Sequence, residues 1–181
     1  PQHFDTYHDE MEYLVSHRGR NNLIKNLVKD IKGNTLVLFN YVEKHGEPLY
    51  ELINSIIDPE RKLFFVHGAT DVEDREEVRK ITETESNAII VASYGTFSTG
   101  INIKRLHNII FASPSKSRIR NLQSIGRVLR KGEGKDIATL YDIADDIGGQ
   151  NYTLRHLNER VTIYNEENFK YEVIRVNLRA N

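Results

Sequence analysis

Gln123, Arg127 and Arg130 are the residues whose types and spacing most directly indicate chemistry. They belong to the stretch QSIGRVLRK at 123–131, within a helix that we predict over 118–130. Intervals of four and three residues place the three side chains on one helix face. Arginine keeps its charge and its planar fork matches phosphate oxygens, so this face suits a polyanion such as a triphosphate. A solvated basic helix face is the alternative, and residue chemistry by itself leaves both open.

The chain has a net charge of −1, yet its basic residues are unevenly distributed. The 47 residues from 86 to 132 contain no Asp or Glu and eight Lys or Arg. Such segregation is expected if one edge of a protein faces phosphates, and a chance fluctuation of surface charge is the alternative. The eight residues are Lys104, Arg105, Lys116, Arg118, Arg120, Arg127, Arg130 and Lys131.

Short apolar, β-branched runs alternate with segments of helical periodicity. The runs predict strands buried on both faces, as in a parallel sheet. We therefore predict an α/β fold: a doubly wound, mostly parallel sheet with helices on both faces, which binds its ligands beyond the carboxyl ends of the strands. The predicted strands are Thr35–Phe39, Leu63–Val66, 88–92, 108–112 and 139–143, and the predicted helices include 23–31, 49–56 and 72–82, the last begun by a capping box of Thr70 and Glu73.

After Asp146 the pattern changes, with a helix predicted over 152–164 and a strand over 170–178. We expect a main domain at 1–148 and a small helix–strand appendage at 149–181 that packs on it. The absence of cysteine, of a membrane-length apolar run and of a secretory signal leads us to expect a soluble, cytoplasmic protein. Because the sequence starts at Pro1 and its one methionine is Met11, we expect a piece of a longer chain.

Residues 123–130 resemble motif VI of superfamily 2 helicases, Q-x-x-G-R-x-x-R. Residues 36–46 are similar to motif IV, His67-Gly68-x(6)-Arg75 to the segment after the next strand, and 93–103, SYGTFSTGINI, to motif V. The four segments occur in the family's order. The resemblance implies two RecA-like lobes with ATP in the cleft between them and nucleic acid across their top. This chain would be the second lobe, and its partner would be the N-terminal RecA-like lobe of the same protein.

The resemblance also implies roles for single residues. Arg130 matches the arginine finger and Arg127 a second phosphate-facing arginine, both of which would neutralise charge on the transferring phosphoryl group. Asn102 departs from the family, since many relatives have Asp there, which puts any acid role at this position in doubt. The implied nucleotide contacts are Gln123, Gly100, Asn102, Arg127 and Arg130, and the implied nucleic-acid contacts are Ser93, Thr99, His67, Lys104 and Lys116.

The sequence lacks the P-loop that cradles ATP phosphates. Gly95 and Gly100 have the P-loop spacing, but Ile101 and Asn102 stand where Lys and Ser or Thr are needed. There is also no DEAD-type metal-binding box before the basic segment. We expect ATP and Mg²⁺ to be held mainly by the missing lobe, and this chain alone to be inactive.

Two further sets of residues have competing interpretations. Asp142, Asp145 and Asp146 follow or end a predicted strand and could hold Mg²⁺, although capping or hydration is favoured and we predict no metal site. Tyr94 and Phe97 could stack on bases or pack in the core.

The resulting functional prediction is an ATP-dependent helicase. We expect it to act on branched or single-stranded DNA, with RNA–DNA hybrids as further substrates. One alternative is a Swi2/Snf2-like translocase on double-stranded DNA. A second is a non-enzymatic nucleic-acid binding or annealing module that keeps the fold without the motor.

The basic segment predicts that the DNA affinity of the intact protein falls steeply with salt. Each neutralised phosphate should contribute about −0.9 to the slope of log affinity against log salt concentration. Binding isotherms measured at several salt concentrations give that slope. A flat dependence would count against phosphate contacts from this segment.

Overall fold

The computed structural model describes residues 2–99, 103, 105–116, 118, 121–122 and 138–178. The described strands are β1 (Thr35–Phe39), β2 (Leu63–Val66), β3 (Ile89–Ser93), β4 (Asn108–Phe111) and β5 (Thr139–Asp142). They form one sheet in the order β2-β3-β1-β4-β5, and every neighbouring pair is parallel. The predicted parallel α/β architecture is therefore confirmed.

The observed helices overlap the predicted ones, although two of them end one or two residues earlier than predicted. Three further described helices were not predicted: Tyr7–Ser16, Tyr94–Thr99 and the π-helix Val42–Gly46. Of the helix predicted over 118–130, only Arg118, Asn121 and Leu122 are described, and their backbone is helical. The described helices are α1 (Tyr7–Ser16), α2 (Arg18–Asp30), the π-helix (Val42–Gly46), α3 (Glu47–Asn54), α4 (Val72–Thr84), α5 (Tyr94–Thr99) and α6 (Tyr152–Glu166).

Apolar strand residues alternate between two cores, one on each face of the sheet. In β1, Leu36 and Leu38 belong to the first core, whereas Val37 and Phe39 belong to the second. This alternation follows from the two-residue period of a strand, and it explains why the strands are almost continuously apolar. The helix residues in these cores include Val78 of α4 and Tyr164 of α6 on the first face, and Ile24, Val28, Leu49 and Ile53 of α2 and α3 on the second.

Two local predictions were wrong. The hydroxyl of Thr70 accepts a hydrogen bond from the amide of His67 at 3.0 Å, so it is used in the preceding turn. Helix α4 instead begins after Asp71, which makes no side-chain capping bond. Residues 170–178 form no strand, and Val173 and Ile174 are more than two-thirds exposed. Strand propensity yields a strand only where a neighbouring strand supplies hydrogen bonds.

A buried hydrogen-bond chain ties the π-helix to the sheet and to α2. His45 is fully buried, its Nδ1 pairs with the hydroxyl of Ser113, and its Nε2 lies 2.9 Å from Oδ1 of Asn21. Asn40 N donates to the same Ser113 hydroxyl at 3.0 Å. The Ser113 hydroxyl thereby connects the ends of β1 and β4, and the imidazole of His45 connects that hydroxyl to α2. Burial lowers the pKa of His45 well below 6.5, and Arg20 and Arg118 lower it further.

The neutral state of His45 predicts a pH-dependent stability. Below pH 6.5 the unfolded chain protonates this residue while the folded chain does not, so stability should be complete above pH 6.5 and fall as the pH drops. The loss attributable to His45 should approach about 1.4 kcal/mol per pH unit. Urea unfolding between pH 5 and 7.5 should show a shallower acid slope for His45→Gln than for the parent. Coincident slopes would mean that His45 accepts a proton in the folded protein.

Candidate nucleotide and nucleic-acid interface

The carboxyl ends of the parallel strands bring the family-like segments to one edge of the sheet. Register pairs Val66 with Ala92 and Phe39 with Ser93, so the residues after β2, β3 and β1 lie side by side. His67 follows β2 and Ser93 ends β3, so these two predicted contacts are brought to neighbouring positions. We call the residues that follow the carboxyl ends of the five strands the carboxyl edge.

His67 shapes the turn that follows β2. Its carbonyl accepts from Thr70 N at 3.0 Å, and its Nδ1 accepts from Ala69 N at 3.2 Å. The ring also contacts Phe65, with centroids 5.4 Å apart. Because Nδ1 is an acceptor, the neutral ring carries its proton on Nε2, and that nitrogen makes no hydrogen bond within the described residues. His67 is thus structural at one nitrogen and offers a donor at the other.

The start of the motif V-like segment is helical, with α5 following β3 directly. The hydroxyl of Ser93 contacts the hydroxyl of Thr96 at 2.6 Å and accepts from its amide at 3.3 Å, which caps α5. Tyr94 is 2% exposed and donates to the carbonyl of Ser113 at 2.7 Å. Phe97 packs against the same core. The core interpretation of Tyr94 is confirmed, and Phe97 also fits it.

The glycines at this edge differ in the space around them. A Cβ on Gly46 would lie 2.5 Å from the ring of Phe39, so internal packing requires glycine there. A Cβ on Gly68 or on Gly95 would meet no atom within 4 Å. Packing within the described chain therefore does not explain the last two glycines, and Gly68 leaves room for a ligand to approach the backbone.

Asp142 and Asp145 bind arginines and are not arranged as a metal site. Asp142 accepts from Arg118 at 2.9 Å and from Arg160 at 2.7 and 2.9 Å, and Tyr164 donates to it at 2.6 Å. Burial alone would raise the pKa of Asp142, but the two guanidiniums outweigh it and hold that pKa below its usual value.

The other two aspartates have similar structural roles. Asp145 pairs with Arg20 at 2.7 and 3.0 Å, and Asp146 accepts from the amides of Gly148 and Gly149. Among the described residues no group of three His, Cys, Asp or Glu could hold a metal ion.

Three of the arginines at the carboxyl edge are buried, which the sequence did not indicate. Arg20, Arg118 and Arg160 are 1–2% exposed. Arg118 is one of the eight basic residues that were expected to face phosphates, and its burial removes it from that set. Nothing in the local pattern distinguishes these arginines from solvated ones, because their partners are remote in sequence.

Lys116 lies at the other end of the carboxyl edge from His67. It follows β4, is exposed, and its Nζ stands 5.2 Å from the centroid of the Tyr7 ring. Thr99 is the last residue of α5. Gly100, Asn102, Lys104, Gln123, Arg127 and Arg130 lie outside the described residues, so their assigned roles stay predictions.

Comparison with known proteins agrees with this arrangement. Residues 19–132 match the family described as the helicase conserved C-terminal domain. The ATP-dependent DNA helicase uvsW of Enterobacteria phage T4 is 37% identical over 189 aligned residues, which cover 96% of this chain and 37% of that protein. This chain therefore spans little more than a third of the length of that relative.

Solved structures show the same fold. The crystal structure of T4 UvsW matches 90% of this chain and 35% of its own with a TM-score of 0.73 at 36% identity. The C-terminal part of the Fun30 ATPase domain matches with a TM-score of 0.54 at 20% identity, over 70% of this chain and 41% of its own. The E. coli DEAD-box protein SrmB matches with a TM-score of 0.51 at 20% identity, over 68% of this chain and 71% of its own.

None of the helices in the described part of the chain has the length and apolar character needed to cross a membrane. The family match covers more than half of the sequence, and it coincides with a RecA-like parallel sheet that carries the motif IV-like segment, the His67 segment and the start of the motif V-like segment at its strand ends. This chain belongs to the helicases, in the family of the helicase conserved C-terminal domain.

Proposed function

We propose that this chain is the second motor lobe of an ATP-dependent DNA helicase that acts on branched DNA in recombination and repair. The substrates would be stalled forks, Holliday junctions and R-loops. The observation that carries the proposal is the carboxyl edge, where one parallel sheet gathers the loops that resemble motif IV, the His67 segment and the start of motif V. Its 37% identity to an ATP-dependent DNA helicase supports the same assignment.

The nucleotide would bind between this lobe and the N-terminal lobe. Arg127 and Arg130 would stabilise charge that develops on the γ-phosphoryl group, with Gln123, Gly100 and Asn102 beside the nucleotide. Mg²⁺, when bound, would neutralise phosphate charge. Asp142, the last residue of β5, and Asp145, three residues later, are already paired with arginines. This supports the proposal that Mg²⁺ is held mainly by residues outside this chain.

DNA would cross the carboxyl edge and contact its sugar–phosphate backbone. His67 Nε2, the uncrowded Cα of Gly68, and the cations of Lys104 and Lys116 suit contacts that do not depend on base sequence. Ser93, just before α5, and Thr99, its last residue, would also contact the DNA backbone. RNA–DNA hybrids offer the same backbone chemistry. The protein would act in the cytoplasm, which for a phage-encoded protein is that of the host cell.

We also propose the division into a main domain at 1–148 and an appendage at 149–181. Helix α6 of the appendage is attached by buried polar contacts. The carboxylate of Glu10 accepts from the amides of Tyr152 and Thr153 at 2.9 and 2.7 Å, and Arg160 pairs with Asp142. The appendage would therefore move with the lobe as a rigid part of it.

Substitution of the two motif VI arginines tests the nucleotide site. Arg127→Ala or Arg130→Ala in the intact protein should reduce ATP turnover by about 10³-fold or more, because transition-state charge loses its partner. DNA affinity should stay close to that of the parent. Arg105→Ala is the matched control, since Arg105 is exposed and lies in the same basic segment. Equal turnover in Arg130→Ala and Arg105→Ala would exclude the finger assignment.

A comparison of this chain with the intact protein tests the split active site. DNA-stimulated ATPase, measured with a forked duplex, should occur in the intact protein and be absent from the 181-residue chain. Turnover by the chain alone would show that the phosphate site has been misplaced. Strand displacement on naked forks separates a helicase from a Swi2/Snf2-like translocase, which would hydrolyse ATP without displacing a strand. Absence of both activities in the intact protein would favour the annealing module.

A further inference from the structure

An open pocket lies where the loop after β4 meets α6. Its volume is about 240 Å³, and its lining consists of Ser115, Lys116, His156, Glu159 and Arg160. Lys116 and Arg160 are cations, and Glu159 is the one carboxylate among the described lining residues. The pocket is at the β4–β5 end of the sheet, whereas His67 and Ser93 are at the β2–β3 end. It is therefore separate from the helicase-like segments after β2 and β3.

Arg160 contributes a fixed guanidinium to this pocket. Its side chain is 3% exposed, and Nε and Nη2 donate to the two oxygens of Asp142 at 2.7 and 2.9 Å. This bidentate pair uses one edge of the planar fork. Nη1 makes no hydrogen bond within the described part of the chain, so the opposite edge can donate to a second oxyanion. Asp142 also accepts a hydrogen bond from Arg118. One carboxylate therefore pairs with two guanidiniums, and these three side chains together keep a net positive charge.

Lys116 adds a second cation that is positioned without being neutralised. Its ammonium lies 5.2 Å from the centroid of the Tyr7 ring, an arrangement in which the ring face attracts the charge. Lys116 forms no salt bridge with any described carboxylate. The same Tyr7 ring contacts His156 edge-on, with centroids 5.4 Å apart. One aromatic side chain of α1 therefore positions two residues of the pocket.

His156 stands among charges of both signs. Burial is the main cause that lowers the pKa of His156; Glu159 and Glu10 oppose this shift, and Lys116 and Arg160 reinforce it. Glu159 is exposed on α6, where water screens its charge, whereas Arg160 on the same helix is buried. The pocket thus favours a compact anion, and Glu159 is the group that weakens this preference.

We propose that the pocket binds one phosphate group of the DNA backbone through Arg160 and Lys116. This inference rests on the proposed function, because it extends the DNA track along the carboxyl edge to α6. The appendage would then contribute directly to DNA binding as well as to the stability of the lobe. A phosphodiester carries a single negative charge, and the three cations and two carboxylates in and behind the pocket leave a single positive charge: Lys116, Arg118 and Arg160 against Asp142 and Glu159.

The test compares three variants of the intact protein in binding a fluorescent forked duplex across a salt series. Lys116→Ala should weaken binding about fivefold at about 0.15 M salt and reduce the log–log salt slope by about 1, as expected for one lost phosphate contact. Glu159→Gln should strengthen binding. Lys80→Ala is the matched control, because it removes an exposed lysine from α4, which connects β2 and β3 at the far edge of the sheet, and it should leave both quantities as in the parent.

Methylphosphonate substitution then identifies the phosphate itself. Replacing single phosphates of the fork with neutral methylphosphonates should reveal one position that weakens binding by the parent and has no effect on Lys116→Ala. The inference is overturned if Lys116→Ala and Lys80→Ala behave alike, or if every position affects both proteins equally. It is also overturned if Lys116→Ala raises the KM for ATP at unchanged DNA affinity, since the anion would then be the nucleotide. If the intact parent shows no DNA-stimulated ATPase, the proposed function is contradicted. The binding series still tests the phosphate contact, because it measures DNA affinity and not ATP hydrolysis.

Discussion

The guanidinium of Arg118 holds the carboxyl edge of the sheet together at β4 and β5. It donates to the carbonyl oxygens of Phe111, Ser113 and Ile143 at 3.0, 2.9 and 2.8 Å, and to Asp142 at 2.9 Å. Removing water from such a group costs several kcal/mol, and only nearly complete hydrogen bonding offsets that penalty. Its acceptors include carbonyl oxygens at or just after the ends of β4 and β5. The path of the chain after β4 therefore depends on this one side chain.

The same cluster explains how the C-terminal helix is attached. Asp142 accepts from Arg160 and Tyr164, which lie one turn apart on α6, so the carboxylate that neutralises Arg118 also anchors the helix. Glu10 satisfies the first amides of α6 from α1. Removing either carboxylate would leave buried donors unpaired, which is more destabilising than the pairs are stabilising. The packing of α1, α6 and the sheet is thus specified by polar geometry as well as by apolar contact.

Basic residues of the sequence segment 86–132 have two different fates in the fold. The side chain of Arg118 is buried and pairs with groups inside the protein. Lys116, two residues earlier, is exposed beside the ring of Tyr7. A count of charges along the chain therefore overstates the charge that faces a ligand. The buried arginines nevertheless contribute to the potential at the surface, because Arg160 shares its carboxylate with Arg118 and retains an unused edge of its fork.

The sequence by itself determined the sheet and the family. Five continuous apolar runs, such as Thr35–Phe39, can be buried only on both faces of a sheet, and helical periods between them require parallel crossovers. The ordered segments ending in Q-x-x-G-R-x-x-R were sufficient to indicate the helicases.

Only the tertiary structure decided how individual polar residues are used. Asp142 is a partner of arginines instead of a metal ligand, the neutral His45 links Ser113 after β4 to Asn21 of α2, and Thr70 closes a turn rather than capping α4. It also decided that residues 170–178 remain unpaired despite their β-branched composition. In each case the outcome depends on which group lies opposite in space, and the chain positions of Arg20 and Asp145, 125 residues apart, carry no local signal of that pairing.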